Sequence, residues 1–438
     1  MAEKKIGIIG AGLSGLSTAW HLQKSGVDCR IFEKEQSAGG LCRSKLVKGF
    51  TFDYDGHLLH FKHDHVFRLL KAFLGKNLGE HKRSAWIYSR DRFTRYPFQV
   101  NLHGLPPHVV KECLFGFINA LNRCPGKKAL SFYDWIHATF GEGIARHFMV
   151  PYNKKFWTVP LERLTCEWLD GFIPVPTLRE ILDGTIEESK RQYGYNSRFW
   201  YPLKTGIQAV PDAFAQKLRH LYTGCAVVSI DPMRKCIKLS SGETFKYDCL
   251  VSSVPLPELP RLITRMPADV RGLFKLLRWN SVFNLNLGVK RDDSAGRHWI
   301  YFPDDDISFF RVGFQHNFSG SVAPQGYSSI YSEVSYSPEK PIHAKRMVSR
   351  IKHDLIKTGI LNSLNDIVVE DCNDIPYGYP IYDMSYASCR RGIFDYLRTH
   401  NIFPAGRYGS WRYMSMEDVI FDGQRVAGDI ALNAGVKA

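Results

Sequence analysis

A glycine-rich turn near the N-terminus is the feature that most constrains the fold. Residues 6–9, Ile-Gly-Ile-Ile, form a short apolar run that leads directly into Gly10, Gly12 and Gly15 and then into an amphipathic pattern of helical period. In this context the first glycine permits a tight turn, the second lets the backbone approach a pyrophosphate, and the third lets the helix pack on the strand. The pattern therefore predicts a doubly wound α/β domain that binds a dinucleotide.

An acidic residue follows where a dinucleotide-binding domain needs one. A second apolar run, residues 29–32, ends in Glu33, roughly 18 residues after the last glycine of the turn. A carboxylate at this position can accept hydrogen bonds from both hydroxyls of an adenosine ribose. We expect further cofactor contacts from Leu13 and Ser14 in the turn and from Lys34 after the strand. The alternative is a glycine-rich turn that binds nothing, and the acid argues against it.

A second glycine pair helps to decide between FAD and NAD. Gly39 and Gly40 are followed by Leu41, and the segment resembles the double-glycine segment of glutathione-reductase-like flavoproteins, where the backbone again faces the cofactor pyrophosphate. FAD is therefore the favoured cofactor. An ordinary glycine turn is the alternative interpretation.

Composition excludes several other classes of protein. The 438 residues are 44 % hydrophobic, enough for about two or three structural units. No run approaches the roughly 18 to 20 apolar residues of a membrane span, so we expect no transmembrane segment. The ten cysteines include no C-x-x-C pair, which predicts no metal site and favours a cytoplasmic location. The net charge of +15 is spread along the chain, so we expect no nucleic acid partner.

Later segments predict that the cofactor domain is discontinuous. Residues 226–250 have the pattern of a hairpin that turns at 240–243 and leads into a buried strand ending at Pro255. Near the C-terminus, residues 402–404 predict a strand, followed by a glycine turn and a helix from about residue 417. We therefore expect this part of the chain to return to the cofactor. The contacts expected from it are Gly406, Arg407, Met416, Glu417 and Asp418.

Seven motifs in order carry a family resemblance. They are YDGHLLHF (54–61), RYPFQVNL (95–102), PYNKKFWTVPLERLTCEWL (151–169), YNSRFWYP (195–202), WIYFPDDDISFFR (299–311), YGYPIYD (377–383) and GRYGSWRY (406–413). Together they resemble the UDP-galactopyranose mutase family over nearly the whole chain. Several of the motifs are more similar to the eukaryotic branch of that family. The resemblance implies an α/β fold: a Rossmann-like, discontinuous FAD-binding domain (1–90, 191–265 and 386–438), an inserted helical domain (91–190) and an antiparallel-sheet substrate domain (266–385).

The resemblance also implies an isomerase. Enzymes of this family interconvert UDP-galactopyranose and UDP-galactofuranose with reduced FAD, whose N5 attacks the anomeric carbon as the diphosphate leaves. His57 is similar to the family histidine that hydrogen-bonds near N5, and Arg311 and Arg407 to the arginines that hold the leaving diphosphate. In bacteria the product supplies cell-surface polysaccharide. The expected partner is thus a UDP-sugar, and a homo-oligomer is compatible with the sequence.

The expected substrate contacts are aromatic, amide and cationic side chains. A uracil base needs an aromatic face and an amide that reads its edge, and a diphosphate is best held by guanidinium groups and phenols. Packing in an aromatic core is the alternative explanation of the same rings. By resemblance, the substrate-binding residues are Tyr96, Phe98, Gln99, Phe148, Tyr152, Asn153, Trp157, Asn196, Tyr301, Arg311, Tyr379, Arg407 and Tyr413.

One position departs from the family pattern. Phe172 stands where both branches of the family usually have an arginine near the sugar and the flavin. The exchange replaces five donors and a charge by an apolar ring. Either a nearby basic residue such as Arg179 or Arg198 substitutes for it, or the substrate is another sugar nucleotide, or the mutase reaction has been lost. Two alternatives therefore stay open: an oxidative flavoenzyme of the amine-oxidase or protoporphyrinogen-oxidase type, and a non-catalytic flavoprotein that senses a sugar nucleotide.

Overall fold

The computed structural model describes residues 4–122, 130–169, 171–188, 191, 193–194, 197–290 and 295–433. Its strands are β1 (Ile6–Ile9), β2 (Arg30–Phe32), β3 (Ser44–Val47), β4 (Phe50–Asp53), β5 (Leu78–Lys82), β6 (Ala85–Ser89), β7 (Arg92–Arg95), β8 (Arg198–Pro202), β9 (Leu221–Tyr222), β10 (Val227–Asp231), β11 (Cys236–Leu239), β12 (Thr244–Lys246), β13 (Cys249–Ser252), β14 (Trp279–Val289), β15 (Trp299–Tyr301), β16 (Arg311–Phe314), β17 (Ser328–Tyr336), β18 (Ile367–Pro380) and β19 (Ile402–Pro404).

The α-helices alternate with these strands. They are α1 (Leu13–Lys24), α2 (Asp64–Leu74), α3 (Pro107–Leu121), α4 (Phe132–Ile144), α5 (Val150–Trp157), α6 (Leu178–Ile186), α7 (Ala209–Ala215), α8 (Leu259–Leu262), α9 (Ala268–Phe274), α10 (Ala344–Lys357), α11 (Tyr386–Thr399), α12 (Gly406–Gly409) and α13 (Met416–Asn433). Among the helices described, none combines the length and the apolar composition needed to cross a bilayer.

A five-stranded parallel sheet forms the base of the molecule, in the order β19-β13-β1-β2-β9. Three distant stretches of chain supply its centre, because Ile6 lies opposite Cys249 and Leu250 lies opposite Ile402. Helices α1 and α13 pack together beside this sheet, and the Ser17 hydroxyl donates to the Ile420 carbonyl at 2.7 Å. The predicted α/β fold class is confirmed, including the C-terminal strand at residues 402–404.

A seven-stranded sheet forms the second layer, in the order β18-β14-β17-β16-β15-β6-β7. Its pairs are antiparallel except β15 and β6, which run parallel. Strands β6 and β7 precede the helical segment in sequence, so this sheet combines residues 85–95 with residues 279–380. The division into domains proposed from the sequence stays a prediction.

The helical segment, α3 to α6, forms a unit of its own that reaches the seven-stranded sheet through α5 and β17. Helices α3 and α4 cross at glycines, and a Cβ atom built on Gly141 would lie 1.9 Å from the Gly116 carbonyl oxygen. Ser131 and Asp134 form a capping box that fixes the start of α4. Five residues of π-helix, Ala145–Met149, then connect α4 to α5. This irregular turn is followed by the PYN motif, whose side chains reach the cavity described below.

Candidate active site

The first glycine turn has the geometry that the sequence predicted. Gly10 has a φ of +92°, which favours glycine, and a Cβ atom on Gly15 would lie 2.0 Å from the Gly10 carbonyl oxygen. Glu33 is buried at the end of β2, where its carboxylate accepts hydrogen bonds from the backbone N–H groups of Ala11 at 2.6 Å and Glu35 at 2.9 Å. The acid is thus fixed directly beside the turn.

The second glycine pair lies against the first turn. The Gly39 N–H donates to the Ala11 carbonyl at 2.8 Å, and a Cβ atom on Gly40 would lie 3.2 Å from the Gly12 Cα atom. Gly12 precedes α1 and caps it without a side-chain hydrogen bond. The Ser14 hydroxyl is buried and has no hydrogen-bond partner among the residues that the structure describes. Two bare backbone turns, a helix N-terminus and an unpaired hydroxyl fit the pyrophosphate of a dinucleotide.

The C-terminal segment closes over the same turn. Gly406 has a φ of +73°, and a Cβ atom there would lie 2.4 Å from the Ser14 Cβ atom. Its N–H donates to the Asp422 carboxylate at 2.7 Å. Only glycine therefore lets this turn approach the N-terminus of α1. Met416 is also buried, at the start of α13.

Three other predicted cofactor contacts have protein partners for their side chains. The fully buried carboxylate of Glu417 accepts from the backbone N–H groups of Lys62 and His63, at 2.6–2.9 Å. Asp418 accepts from the Ser415 hydroxyl and N–H, both at 2.8 Å, at the start of α13. The Lys34 side chain is exposed, with its ammonium 3.9 Å from Glu35. Cofactor contacts by these three residues stay predictions.

His57 has a defined tautomer. Its Nδ1 atom lies 3.1 Å from the Asp55 carbonyl oxygen, and because a carbonyl only accepts, Nδ1 carries the proton. Burial lowers the pKa of the imidazole from its ordinary value; Asp55 opposes this effect, and Arg407 and Arg311 add to it. The ring is therefore neutral near pH 7, with an unprotonated Nε2 atom that can accept a hydrogen bond.

An aromatic cavity lies between the helical segment and the seven-stranded sheet. Its wall is formed by Tyr96, Gln99, Phe148, Met149, Tyr152, Asn153, Phe156, Trp157, Trp168, Phe172, Ile173, Tyr301, Arg311, Tyr379 and Tyr413. The structure thus brings together ten of the predicted substrate residues. Four further wall residues were not predicted: Met149, Phe156, Trp168 and Ile173. They lie within or a few residues away from the motif at 151–169, and this proximity was the signal that the sequence offered.

Two predicted substrate residues do not lie on this wall. Phe98 is buried, and its ring stacks on Phe148 at a centroid distance of 5.1 Å, so it supports the wall from behind. Arg407 stacks on the rings of Tyr379 and Tyr413, with its guanidinium carbon 4.6 and 5.1 Å from the two ring centres. Asn196 lies outside the described residues.

Stacked rings and two amides shape one side of the cavity. Tyr152 stacks on Phe148 at 5.3 Å and meets Tyr301 edge-on at 5.5 Å. The Gln99 amide donates to the Pro174 carbonyl at 2.7 Å, and the Asn153 amide donates to the Met149 carbonyl at 2.7 Å. Neither bond uses the amide oxygen. This side can therefore offer both an aromatic face and polar amide atoms to a planar ligand.

Two arginines of different character lie on or behind another part of the wall. Arg311 forms a two-bonded ion pair with Glu333, whose carboxylate is fully buried; its Nη2 atom lies 2.5 Å from Oε1. Arg407 donates to the carbonyl of Gly378 at 2.9 Å, while its Nε atom is buried without a hydrogen-bond partner in the described part of the chain. Sequence reasoning missed Glu333. The available signal was a single acid inside the serine-rich, buried strand β17, because a buried carboxylate needs a partner.

The surroundings of Phe172 bear on the missing guanidinium. Its ring meets Tyr413 edge-on at 5.0 Å, and the Lys62 ammonium lies 5.1 Å from the ring centre. Arg179 and Arg198 are exposed side chains outside the cavity wall, close to Asp183 and Glu80. Neither arginine occupies the place that the sequence left open. The Lys62 ammonium next to Phe172 was not predicted.

Comparisons with known proteins agree with a flavin site. A crystal structure of reduced UDP-galactopyranose mutase matches 99 % of this chain and 96 % of its own, with 28 % identity and a TM-score of 0.93. A putative protoporphyrinogen oxidase from Exiguobacterium sp. shares the fold, with 15 % identity, a TM-score of 0.76 and coverage of 99 % and 100 %.

Sequence relatives point to oxidative enzymes. A zeta-carotene-forming phytoene desaturase from Myxococcus xanthus is 22 % identical over 85 % of this chain and 81 % of its own. The model of the flavin containing amine oxidoreductase family matches residues 13–431. With the paired glycine turns and Glu33, these findings assign the cofactor as FAD. The chain is a UDP-galactopyranose mutase-like flavoenzyme that belongs to the flavin containing amine oxidoreductase family.

Proposed function

We propose that this flavoenzyme is a nucleotide-sugar mutase that interconverts pyranose and furanose forms, with UDP-galactopyranose as the leading substrate. The observation that carries the proposal is the cavity, in which aromatic rings, amides and the Arg311 guanidinium lie together, with Arg407 behind two of the rings, as a nucleoside diphosphate requires. The likeness to a reduced mutase over almost the whole chain supports it.

The base would occupy the side of the cavity that carries the amides. Phe148 and Tyr152 lie parallel to one another, with an interplanar angle of 9°, and can take a uracil ring against their exposed edges or faces. The oxygens of Gln99 and Asn153 would then read polar atoms of the base. Both backbone anchors, on Pro174 and Met149, hold the amides in position before the ligand arrives.

The diphosphate would lie against the arginine side. The hydroxyls of Tyr379 and Tyr413 can donate to phosphate oxygens, and Arg407 behind their rings supplies positive potential from a buried position. Arg311 is fixed by Glu333, so its remaining donors keep one orientation. Fixed donors cost little reorganisation when charge develops on the leaving phosphate.

The protein's part in the reaction is to orient the reactants and to hold protons. Bound FAD, in its reduced form, would supply the electron pair that displaces the diphosphate from the anomeric carbon. His57 keeps a proton on Nδ1 and offers Nε2 as an acceptor next to the site expected for the flavin. The surrounding aromatic wall excludes water from the sugar. These roles require neither a metal nor a nucleophilic side chain.

An oxidative function is the second candidate, because the phytoene desaturase from Myxococcus xanthus and other oxidative flavoenzymes are sequence relatives. A polyene needs an apolar tunnel. The described wall instead includes a guanidinium and the phenols of five tyrosines. Polar atoms of this kind would remain unsatisfied against a hydrocarbon, at a cost of about 1–3 kcal/mol each. The wall therefore favours the mutase.

We also propose a cytoplasmic location, since the described cysteines are free.

The decisive assay compares the two redox states of the purified protein. Dithionite-reduced and oxidised samples are incubated with UDP-galactopyranose, and the nucleotide sugars are separated by chromatography. We expect the furanose form only from the reduced sample. Absence of the furanose, with UDP still bound by the reduced protein, would eliminate the mutase and leave a sensor or an oxidoreductase.

A further inference from the structure

Lys62 lies beside the cavity wall on a fixed stretch of backbone. Its own N–H and that of His63 donate to the buried carboxylate of Glu417, at 2.6–2.9 Å, which ties this loop to the start of α13. The residue is exposed, and its side chain extends to the ring of Phe172, with the ammonium 5.1 Å from the ring centre. Lys62 is thus anchored at its backbone, and its ammonium lies against a ring of the wall.

Phe172 connects this ammonium to the expected phosphate region. Its ring is part of the cavity wall and meets the ring of Tyr413 edge-on at 5.0 Å. Arg407 lies against another part of Tyr413, with its guanidinium carbon 5.1 Å from the ring centre. Lys62, Phe172, Tyr413 and Arg407 are thus successive neighbours. A cation held over an aromatic face keeps its charge and loses part of its mobility.

A nucleoside diphosphate needs cations close to the cavity wall. The charge of Arg311 is compensated by the buried Glu333, so that pair contributes donors without net charge. Arg407, behind the ring of Tyr413, and the buried Arg83, with its guanidinium carbon 4.9 Å from the ring of Tyr96, each supply one positive charge next to the wall. A nucleoside diphosphate ester brings about two negative charges, and each uncompensated charge in a closed site is costly.

We propose that Lys62 is the cation that binds the outer phosphate of the nucleotide sugar, with Phe172 as the platform that directs it. This inference rests on the proposed function. The pair replaces a guanidinium at position 172 by an ammonium that enters from another loop. A lysine is a point charge on a flexible stem, so it can follow a phosphate during ring opening without imposing the planar geometry of an arginine.

The test uses the holoenzyme with UDP and uridine as probes in isothermal titration calorimetry at low salt. Lys62→Met removes the charge and retains most of the side-chain volume, and Lys62→Arg retains the charge. Lys217→Met is the matched control, because the Lys217 ammonium lies 4.9 Å from the Phe73 ring at another surface. We expect Lys62→Met to weaken UDP binding about tenfold and to leave uridine binding unchanged. Lys62→Arg and Lys217→Met should stay within about twofold of the wild type.

Salt provides a second readout. The difference between wild type and Lys62→Met should shrink as sodium chloride rises, because an exposed ammonium is screened. Equal UDP affinities for Lys62→Met and the wild type, or a parallel loss of uridine binding, would overturn the role of Lys62 while leaving the mutase proposal intact. A wild type that binds neither UDP nor uridine would overturn both.

Discussion

Replacing Glu333 with glutamine tests the buried ion pair in the cavity wall. Both carboxylate oxygens accept from the Arg311 guanidinium, and the acid is fully buried. Glutamine keeps the size of the side chain but turns an NH₂ group toward the guanidinium, so one charge-assisted bond is lost and the arginine keeps an uncompensated charge. Deleting one partner of a buried pair costs about 3–5 kcal/mol.

The expected loss for this variant is smaller than that limit. One hydrogen bond survives, and the Arg311 side chain is 20 % exposed. We therefore expect Glu333→Gln to lower the free energy of unfolding by about 2–3 kcal/mol. Urea unfolding of the holoenzyme, followed by tryptophan fluorescence, measures the difference.

A surface pair supplies the control. Glu370 lies next to Lys352 and is 40 % exposed, so Glu370→Gln should cost less than about 1 kcal/mol. Losses of the same small size in both variants would refute the conclusion that the Arg311–Glu333 pair is a buried, mutually dependent unit.

Three further predictions concern the cofactor turn, the clamp and a buried histidine. Gly15→Ala should reduce the FAD absorbance per protein at about 450 nm, because the added Cβ atom has no room beside Gly10. The control is Gly428→Ala in α13, whose Cβ atom meets nothing within 4 Å and which should retain full absorbance. Equal FAD content in the two variants would contradict the role of the turn. Arg407→Met should weaken UDP binding by roughly 2 kcal/mol or more in calorimetry. The control is Arg390→Met, which removes a guanidinium 4.2 Å from the Phe394 ring and should leave UDP binding unchanged. Equal UDP affinities for the two variants would contradict a role of Arg407 in binding the diphosphate. Burial and then His81 lower the pKa of His298 from 6.5 to about 4. The histidine therefore takes up its proton in the unfolded chain first, and the free energy of unfolding falls as the pH drops from 6.5 to about 4. In urea unfolding, His298→Asn should make this fall smaller, and an unchanged dependence on pH would contradict the prediction.

The parallel sheet could be predicted because its information is local. Residues 6–9 and 402–404 are short apolar runs bounded by glycine or proline, and β1 and β19 have those bounds. Gly10 is needed for its backbone conformation and Gly15 for a close contact. Both needs can be inferred from the residue type alone, because only glycine meets them easily. The predicted fold class followed from these segments and from the resemblance.

The charged partners in the site could not be predicted from spacing. Glu333 meets Arg311 only because β16 and β17 pair with these two residues opposite one another. Lys62 reaches Phe172 across two loops that are far apart in sequence. Strand register and loop approach are tertiary properties, so a sequence pattern assigns neither contact. The position of Arg407 behind two tyrosine rings, rather than on the cavity wall, has the same origin.

Glu417 shows a further limit of residue type. An acid in the first turn of α13 suits a helix N-terminus, and we expect it to contact the cofactor. The structure gives its carboxylate three contacts with the backbone of Lys62 and His63, so the cofactor contact stays a prediction. Sequence cannot distinguish an acid that binds a ligand from an acid that binds a neighbouring loop, since both satisfy the same hydrogen-bonding need.

A crystal structure of the reduced protein with UDP-galactose tests the central claim most directly. We expect the diphosphate to contact Tyr379 and Tyr413, the uracil to lie near Phe148 and Tyr152, and the anomeric carbon to face the flavin. A nucleotide bound outside this cavity, or a diphosphate pointing away from Arg311 and Arg407, would contradict it.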